Sequence, residues 1–193
     1  MTKKRCTWAG DDPLYHKYHD REWGVPLHND RKLFEFLILE GMQAGLSWIT
    51  VLKKREAFRE AFDGFDFNKV AKYKQAKIKK LLNDPGIIRN RMKINAAVTN
   101  AQAFLRVREE FGTFNKYIWG FVENNPIQNS WKTLKDVPAK TELAEKISKD
   151  LKKRGFSFVG PTIVYAHMQA TGMVNDHTKD CFRYKEVKTL SRK

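Results

Sequence analysis

The sequence predicts an all-α fold, and three observations carry that prediction. Apolar residues recur at three- and four-residue spacing along most of the chain. No run of alternating apolar and polar residues is long enough for a strand. Between the periodic segments lie turn signals rich in Asn, Asp, Gly or Pro. With 193 residues the chain has the size of one domain. The expected organisation is one unit over residues 1–185, followed by a basic tail, 186–193, without fixed order.

Taken in order, the segment from Cys6 to Pro26 is rich in Asp, Gly and Pro and reads as irregular. Leu33, Phe34, Leu37 and Ile38 then form an apolar stripe behind Asp30, a residue type suited to an N-cap. Trp48, Leu52, Phe58 and Phe62 continue a second helix from near Ser47. Ile78, Leu81 and Leu82 mark a helix that stops at Asn83-Asp84-Pro85-Gly86. Ile94, Ala97, Val98, Ala101 and Phe104 mark the next, so a helix–hairpin–helix unit is expected near residues 75–105. Tyr117, Ile118, Phe121 and Val122 make a short stripe that ends at Asn124-Asn125-Pro126, and Asn124 to Lys140 is the loosest connection. Leu143, Ile147 and Leu151 repeat every four residues after Thr141, with Gly155 where a helix-ending glycine belongs. The last clear helix opens at Gly160-Pro161 and closes at Gly172.

Composition narrows the function. The chain is 41% hydrophobic and carries 13 Phe, 6 Tyr and 5 Trp, which excludes disorder over most of its length. In the apolar centre, the longest stretch free of charge runs only from Gly41 to Leu52, too short for the roughly 20 residues a bilayer requires. The basic start has no apolar segment behind it, so a cytoplasmic protein without a membrane partner is expected. Thirty-seven Lys and Arg against 22 Asp and Glu give a formal charge of +15, which points to a polyanion, most commonly nucleic acid. A merely soluble basic surface is the competing account.

Four features could carry chemistry. His177 and Cys181 stand four apart and can share one face, while Cys6 and His19 could complete a Cys2His2 set suited to tetrahedral zinc. Against this stands a buried thiol with unrelated histidines. The turn from Asn83 to Ile88, holding Gly86 and followed by Arg89, Arg91 and Lys93, could cradle a phosphate on backbone N–H groups, or be an ordinary hairpin with solvated charges. Trp8, Tyr15, Tyr18, Trp23 and Trp48 line either a core or a pocket. Glu40, between an apolar helix and a glycine-bearing turn, is either a helix-end carboxylate or one facing a cavity that welcomes a cation or an N–H donor.

Long runs of sequence add a resemblance. Cys6-Thr7-Trp8, Asp12-Pro13-Leu14-Tyr15 and Tyr18-His19-Asp20-Arg21-Glu22-Trp23-Gly24-Val25-Pro26 resemble the 3-methyladenine DNA glycosylase I family of the helix–hairpin–helix superfamily. So do Leu39-Glu40-Gly41, the run from Gln43 to Glu56, Gly86-Ile87-Ile88-Arg89, the run from Leu151 to Phe156, and Val174-Asn175-Asp176-His177.

The resemblance implies a monofunctional hydrolase that flips 3-methyladenine out of double-stranded alkylated DNA and removes it. It implies one structural zinc held by Cys6, His19, His177 and Cys181. The base pocket would have Glu40 as its working carboxylate and Trp48, Tyr18, Trp8, Tyr15 and Trp23 as walls. Gly45 and Leu46 would fill the gap left in the duplex, while Gly86, Arg89 and Lys93 would meet phosphates. A monomer is the default expectation. The alternative is a zinc-stabilised DNA-binding module without catalysis, which needs the hairpin but has no use for Glu40 in an aromatic cage.

Overall fold

The computed structural model describes residues 3–190, and its secondary structure is mainly helical. In chain order the helices are α1 (Pro13–Arg21), α2 (Asp30–Gln43), α3 (Trp48–Lys53), α4 (Arg55–Ala61), α5 (Phe67–Val70) and α6 (Gln75–Leu82). There follow α7 (Arg91–Phe111), α8 (Phe114–Gly120), α9 (Glu142–Lys153), α10 (Pro161–Ala170) and α11 (Phe182–Leu190). Two short strands, β1 (Ile127–Gln128) and β2 (Val174–Asn175), pair in parallel. Among the described residues no helix is long and apolar enough to cross a membrane.

The central element is α2, with every residue from Leu33 to Met42 buried. It packs against α3, α7, α8 and α10, as a helix enclosed on all sides must. Its cap is Asn29, whose side chain accepts from the Lys32 amide, and not Asp30. The Asp30 carboxylate instead accepts from Arg108 and from the amides of Phe114 and Asn115, locking α2 to α7 and α8. The helix expected to run from Ser47 through Phe62 divides at Lys54, whose ammonium donates to the carbonyls of Pro85 and Gly86.

The segment read as irregular contains α1, started by Asp12 accepting from the Leu14 amide with Pro13 in the first turn. Of the tail expected over 186–193, residues 186–190 belong to α11. Helix α11 continues to Leu190, and residues 191–193 lie outside the described residues.

The apolar interior falls into two clusters. The larger one joins α2, α4, α7, α8, α9 and α10 through Phe34, Phe58, Phe104, Phe114, Trp119 and their neighbours. The smaller one gathers Cys6, Tyr18, Trp23, Phe36, Leu52, Ala170 and Cys181, with Trp8, Tyr15 and Trp48 packed on it. Gly172, at φ +72, follows the end of α10. A Cβ there would lie 2.3 Å from the Val25 carbonyl carbon, so only glycine lets the residue 25–26 backbone seat on the end of α10.

Candidate active site and metal centre

A cavity of about 340 Å³ opens between the smaller cluster, the end of α2, the middle of α10 and the segment 134–139. Trp8, Tyr15, Tyr18, Trp23 and Trp48 all line it, so the aromatic crowd of the N-terminal half is a pocket wall. The wall is stiff because its rings brace one another. Trp8 meets Tyr15, Tyr18 and Trp23 edge-on, with centroids 4.9 to 6.2 Å apart, and Tyr18 lies 5.5 Å from Trp48. The Ile49 amide donates to the Tyr15 hydroxyl at 3.0 Å, which fixes that ring on α3.

Glu40 also lines the cavity, at 4% exposure. Helical periodicity places it there: Phe36, Glu40 and Gln43 share one face of α2, while the opposite faces enter the main core. Gln43, one turn on from Glu40, is a lining residue that helical spacing from Glu40 could have supplied. Among the described residues the Glu40 carboxylate has no hydrogen-bond partner. Burial pushes its pKa up to about 8, although the charge of Arg55 pulls the other way. That arginine is already committed, donating to Glu35 at 2.6 Å and Glu22 at 2.7 Å while lying over the Phe36 ring. A buried carboxylate with no donor, facing a cavity walled by π-faces, has the electrostatics of a receptor for a cation. The indole N–H groups of Trp8 and Trp48 are likewise buried without a partner.

Cys6, which touches the cavity, belongs to a second constellation beneath it. Cys6, His19, His177 and Cys181 are all buried, with ligand atoms within 4.8 Å of one another. The sulfur of Cys6 lies 3.5 Å from His177 Nδ1, and that of Cys181 lies 3.5 Å from both His19 Nε2 and His177 Nδ1. A tetrahedron with Zn–S near 2.3 Å and Zn–N near 2.0–2.1 Å has sulfur–nitrogen edges of about 3.5 Å, so the donor set fits a tetrahedral metal ion.

The remaining ring nitrogens are committed in the way a metal site requires. His19 Nδ1 donates to Asp20 at 2.8 Å and His177 Nε2 donates to the Trp23 carbonyl at 3.1 Å, leaving the inward nitrogens free of protons. Asp20 is itself held by Arg5, whose Nε and Nη2 approach its two oxygens at 2.9 and 2.7 Å. The two thiols show the same demand. The hydrogen bond to Cys181 and burial raise the Cys6 pKa, while the hydrogen bond from Cys6 holds Cys181 low.

The residues expected to meet DNA fall into two groups. Gly45, at φ +80 with nothing within 4 Å of a built Cβ, and Leu46, 43% exposed, form an open turn after α2. Gly86 and Arg89 sit in the turn between α6 and α7, with Arg89 exposed and its amide and that of Ile88 unbonded within the described residues. Lys93 is a correction: it is 8% exposed, and its ammonium donates to the carbonyls of Met42 at 2.9 Å and Ala44 at 2.6 Å. Those two bonds satisfy the end of α2, so Lys93 holds the Gly45–Leu46 turn and its buried ammonium is not presented on the surface as a phosphate contact.

Sequence periodicity missed the far wall, made by Leu134, Val137, Pro138, Thr162, Tyr165 and Gln169, because the segment carrying its first three residues has none. It also missed a basic cleft of about 500 Å³ that meets the cavity at Leu134 and Thr178 and is lined by Lys4, Arg5, Lys132 and Lys135.

Comparison with known proteins places this geometry. The sequence model of a family described as methyladenine glycosylase matches residues 8–184. The chain is 50% identical over 181 residues to DNA-3-methyladenine glycosylase 1 of Escherichia coli (strain K12), covering 94% of this chain and 97% of that protein. It is 50% identical over 177 residues to a DNA-3-methyladenine glycosylase of Haemophilus influenzae, covering 92% and 96%. A crystal structure of a 3-methyladenine DNA glycosylase I variant in complex with 3-methyladenine superposes with a TM-score of 0.90 at 39% identity, over 92% of this chain and 96% of that one.

Proposed function

The chain belongs to the methyladenine glycosylase family, and from that premise we propose how its pocket works. The protein is a DNA-3-methyladenine glycosylase, a hydrolase of the N-glycosyl bond in base-excision repair. Its target base is hidden in the stack, so the nucleotide is flipped out of a double helix, at an unstacking cost of a few kcal/mol that is smaller for a damaged base. Methylation at N3 has already made the adenine cationic and a good leaving group. The site therefore needs little acid catalysis and no nucleophile, but it must prefer the charged base.

The observation that carries this reading is Glu40: a buried carboxylate without a donor, in a cage of aromatic rings. Trp48, Tyr18, Trp8, Tyr15 and Trp23 supply stacking and cation–π attraction, while Glu40 accepts from the base's N–H groups. The arriving positive charge offsets what burial costs the carboxylate, so the pocket binds a cation and an ionised Glu40 together. Water then attacks the sugar as positive charge develops on it. Among the described residues no lysine lines the cavity, so strand cleavage by a Schiff base is not expected.

Gly45 and Leu46 enter the gap left in the duplex. The α6–α7 hairpin docks by the Ile88 and Arg89 amides and the Arg89 charge, as in the helix–hairpin–helix superfamily. Zinc is the ion that the Cys2His2 set suits; Cys6, His19, His177 and Cys181 would hold it, and its role there would be structural, tying residues near both ends of the described chain together. The protein acts as a cytoplasmic monomer. Incubation with N-methylated duplex DNA, followed by chromatography of the released bases, tests the reading. Free 3-methyladenine is the expected product, and DNA binding without base release would return the chain to a binding module.

A further inference from the structure

The cavity holds a second carboxylate, and its state is the reverse of Glu40's. Asp176 is 2% exposed and accepts four hydrogen bonds. Asn129 Nδ2 and Trp131 Nε1 donate to its Oδ1 at 2.6 and 2.7 Å. The Tyr165 hydroxyl and Gln169 Nε2 donate to its Oδ2 at 2.6 and 2.8 Å. A carboxylate has about four acceptor positions, so nothing is left over for a substrate or a water. Asp176 is therefore not a general base.

What it joins is informative. Tyr165 and Gln169 belong to α10 and line the cavity's far wall. Asn129 and Trp131 begin the segment that carries Leu134, Val137 and Pro138, which line the same wall. That segment has little else to seat it. Its short helical turn, Leu134–Asp136, buries no residue, and Leu134 is 43% exposed. Besides the two Asp176 bonds, its ties among the described residues include the Lys179 amide donating to the Trp131 carbonyl, a Ser130–Tyr184 hydroxyl contact at 3.3 Å, the β1–β2 pairing just before it and a half-buried Val137 against the main core.

We propose that Asp176 is a positioning residue for base selection: by holding residues 129–138 against α10 it fixes the width of the pocket and so the size of purine admitted. The proposal rests on the glycosylase reading. Its physical basis is that charge cannot perform this selection. An N7-methylguanine is cationic like 3-methyladenine, and Glu40 and the aromatic faces attract both. It carries one more exocyclic substituent, which a wall of fixed position excludes in addition to what hydrogen bonding at Glu40 discriminates.

The test is the ratio of kcat/KM for N7-methylguanine to that for 3-methyladenine, measured from one sample of alkylated duplex DNA. Such a ratio does not depend on how much of the enzyme is folded. Asp176→Asn replaces one acceptor oxygen with an NH2 group facing a pair of donors. It should raise the ratio at least tenfold, and raise KM for 3-methyladenine more than it lowers kcat. The double variant Asn129→Ala/Trp131→Phe removes only the donors on the segment and should do the same, which keeps the proposal testable if Asp176→Asn folds poorly. An unchanged ratio in the variants, with activity lost only in proportion to folded protein, overturns the proposal while leaving the glycosylase reading intact. A wild-type protein that releases no 3-methyladenine overturns both.

Discussion

Replacing Glu40 by Gln should stabilise the folded protein while impairing it, and the stability gain should grow with pH. Burial raises the Glu40 pKa from 4.5 to about 8. The folded state therefore keeps this proton longer than the unfolded chain does. As pH rises above 4.5 the unfolded state loses the proton first, and stability falls until the folded carboxyl has also ionised, near pH 8. One pKa unit corresponds to about 1.4 kcal/mol, so the fully ionised residue costs the fold on the order of 5 kcal/mol. Most of that is incurred by pH 7, and between pH 7 and pH 9 a further loss of about 1.4 kcal/mol remains. For a chain of this size that is a fall in Tm of roughly 3–6 °C. Glu40→Gln removes the titration and keeps the shape. Other groups titrate alike in both proteins, so the difference in Tm isolates residue 40. Thermal unfolding of the two proteins at pH 6, 7, 8 and 9, without DNA, is the assay. Parallel Tm curves would refute the placement of Glu40 as a buried carboxylate without a donor.

Metal analysis of the purified protein should find one zinc per chain, and Cys181→Ser should lose it and lower Tm, because the site joins residues at both ends of the chain; a metal-free protein with unchanged Tm would remove the metal from the account. Arg89→Ala should reduce the salt dependence of duplex binding by about one unit of the log–log slope, as expected for one lost phosphate contact. Lys93→Ala should leave that slope alone and lower Tm, since its ammonium is spent on the carbonyls of Met42 and Ala44; binding titrations at several salt concentrations distinguish the two lysine roles. Leu46→Gly should slow excision from duplex DNA more than from a substrate whose target base is mismatched, because the lost apolar contact matters most where the base must be displaced from a stable stack; equal slowing on both would separate Leu46 from base flipping.

Much of this architecture is legible in the sequence where one side chain's neighbours lie on its own helix. The α2 stripe, the hairpin turn after Leu82 and the start of α9 at Thr141 follow from spacing and capping residues alone. Helix α1 was hidden because its faces are mixed, although Asp12-Pro13 carries the signal of a helix start. The environment of Lys93 is not local. Its sequence neighbours, Arg91 and Met92, are exposed, and only the approach of α7 to the end of α2 turns a basic residue into a buried cap. The wall over 134–138 escapes for the same reason. It is seated by a carboxylate some forty residues later in the chain, through hydrogen bonds that leave no periodicity to read. The Cys2His2 cluster shows both cases at once: His177 and Cys181 are related by spacing, whereas their meeting with Cys6 and His19 is a product of the whole fold.

The account turns on an ionised Glu40 selecting a cationic base, and the pH profile of kcat/KM for 3-methyladenine release tests that most directly. In wild type the free enzyme's Glu40 ionises at about 8, so kcat/KM should climb about tenfold from pH 7 and level off by pH 9. In Glu40→Gln it should be flat over that range and lower by one to two powers of ten at its top, the equivalent of a charge-assisted hydrogen bond of about 1.5–3 kcal/mol. A variant with the wild-type rate and the wild-type rise would contradict the assignment, because the carboxylate would then play no part in recognising the base.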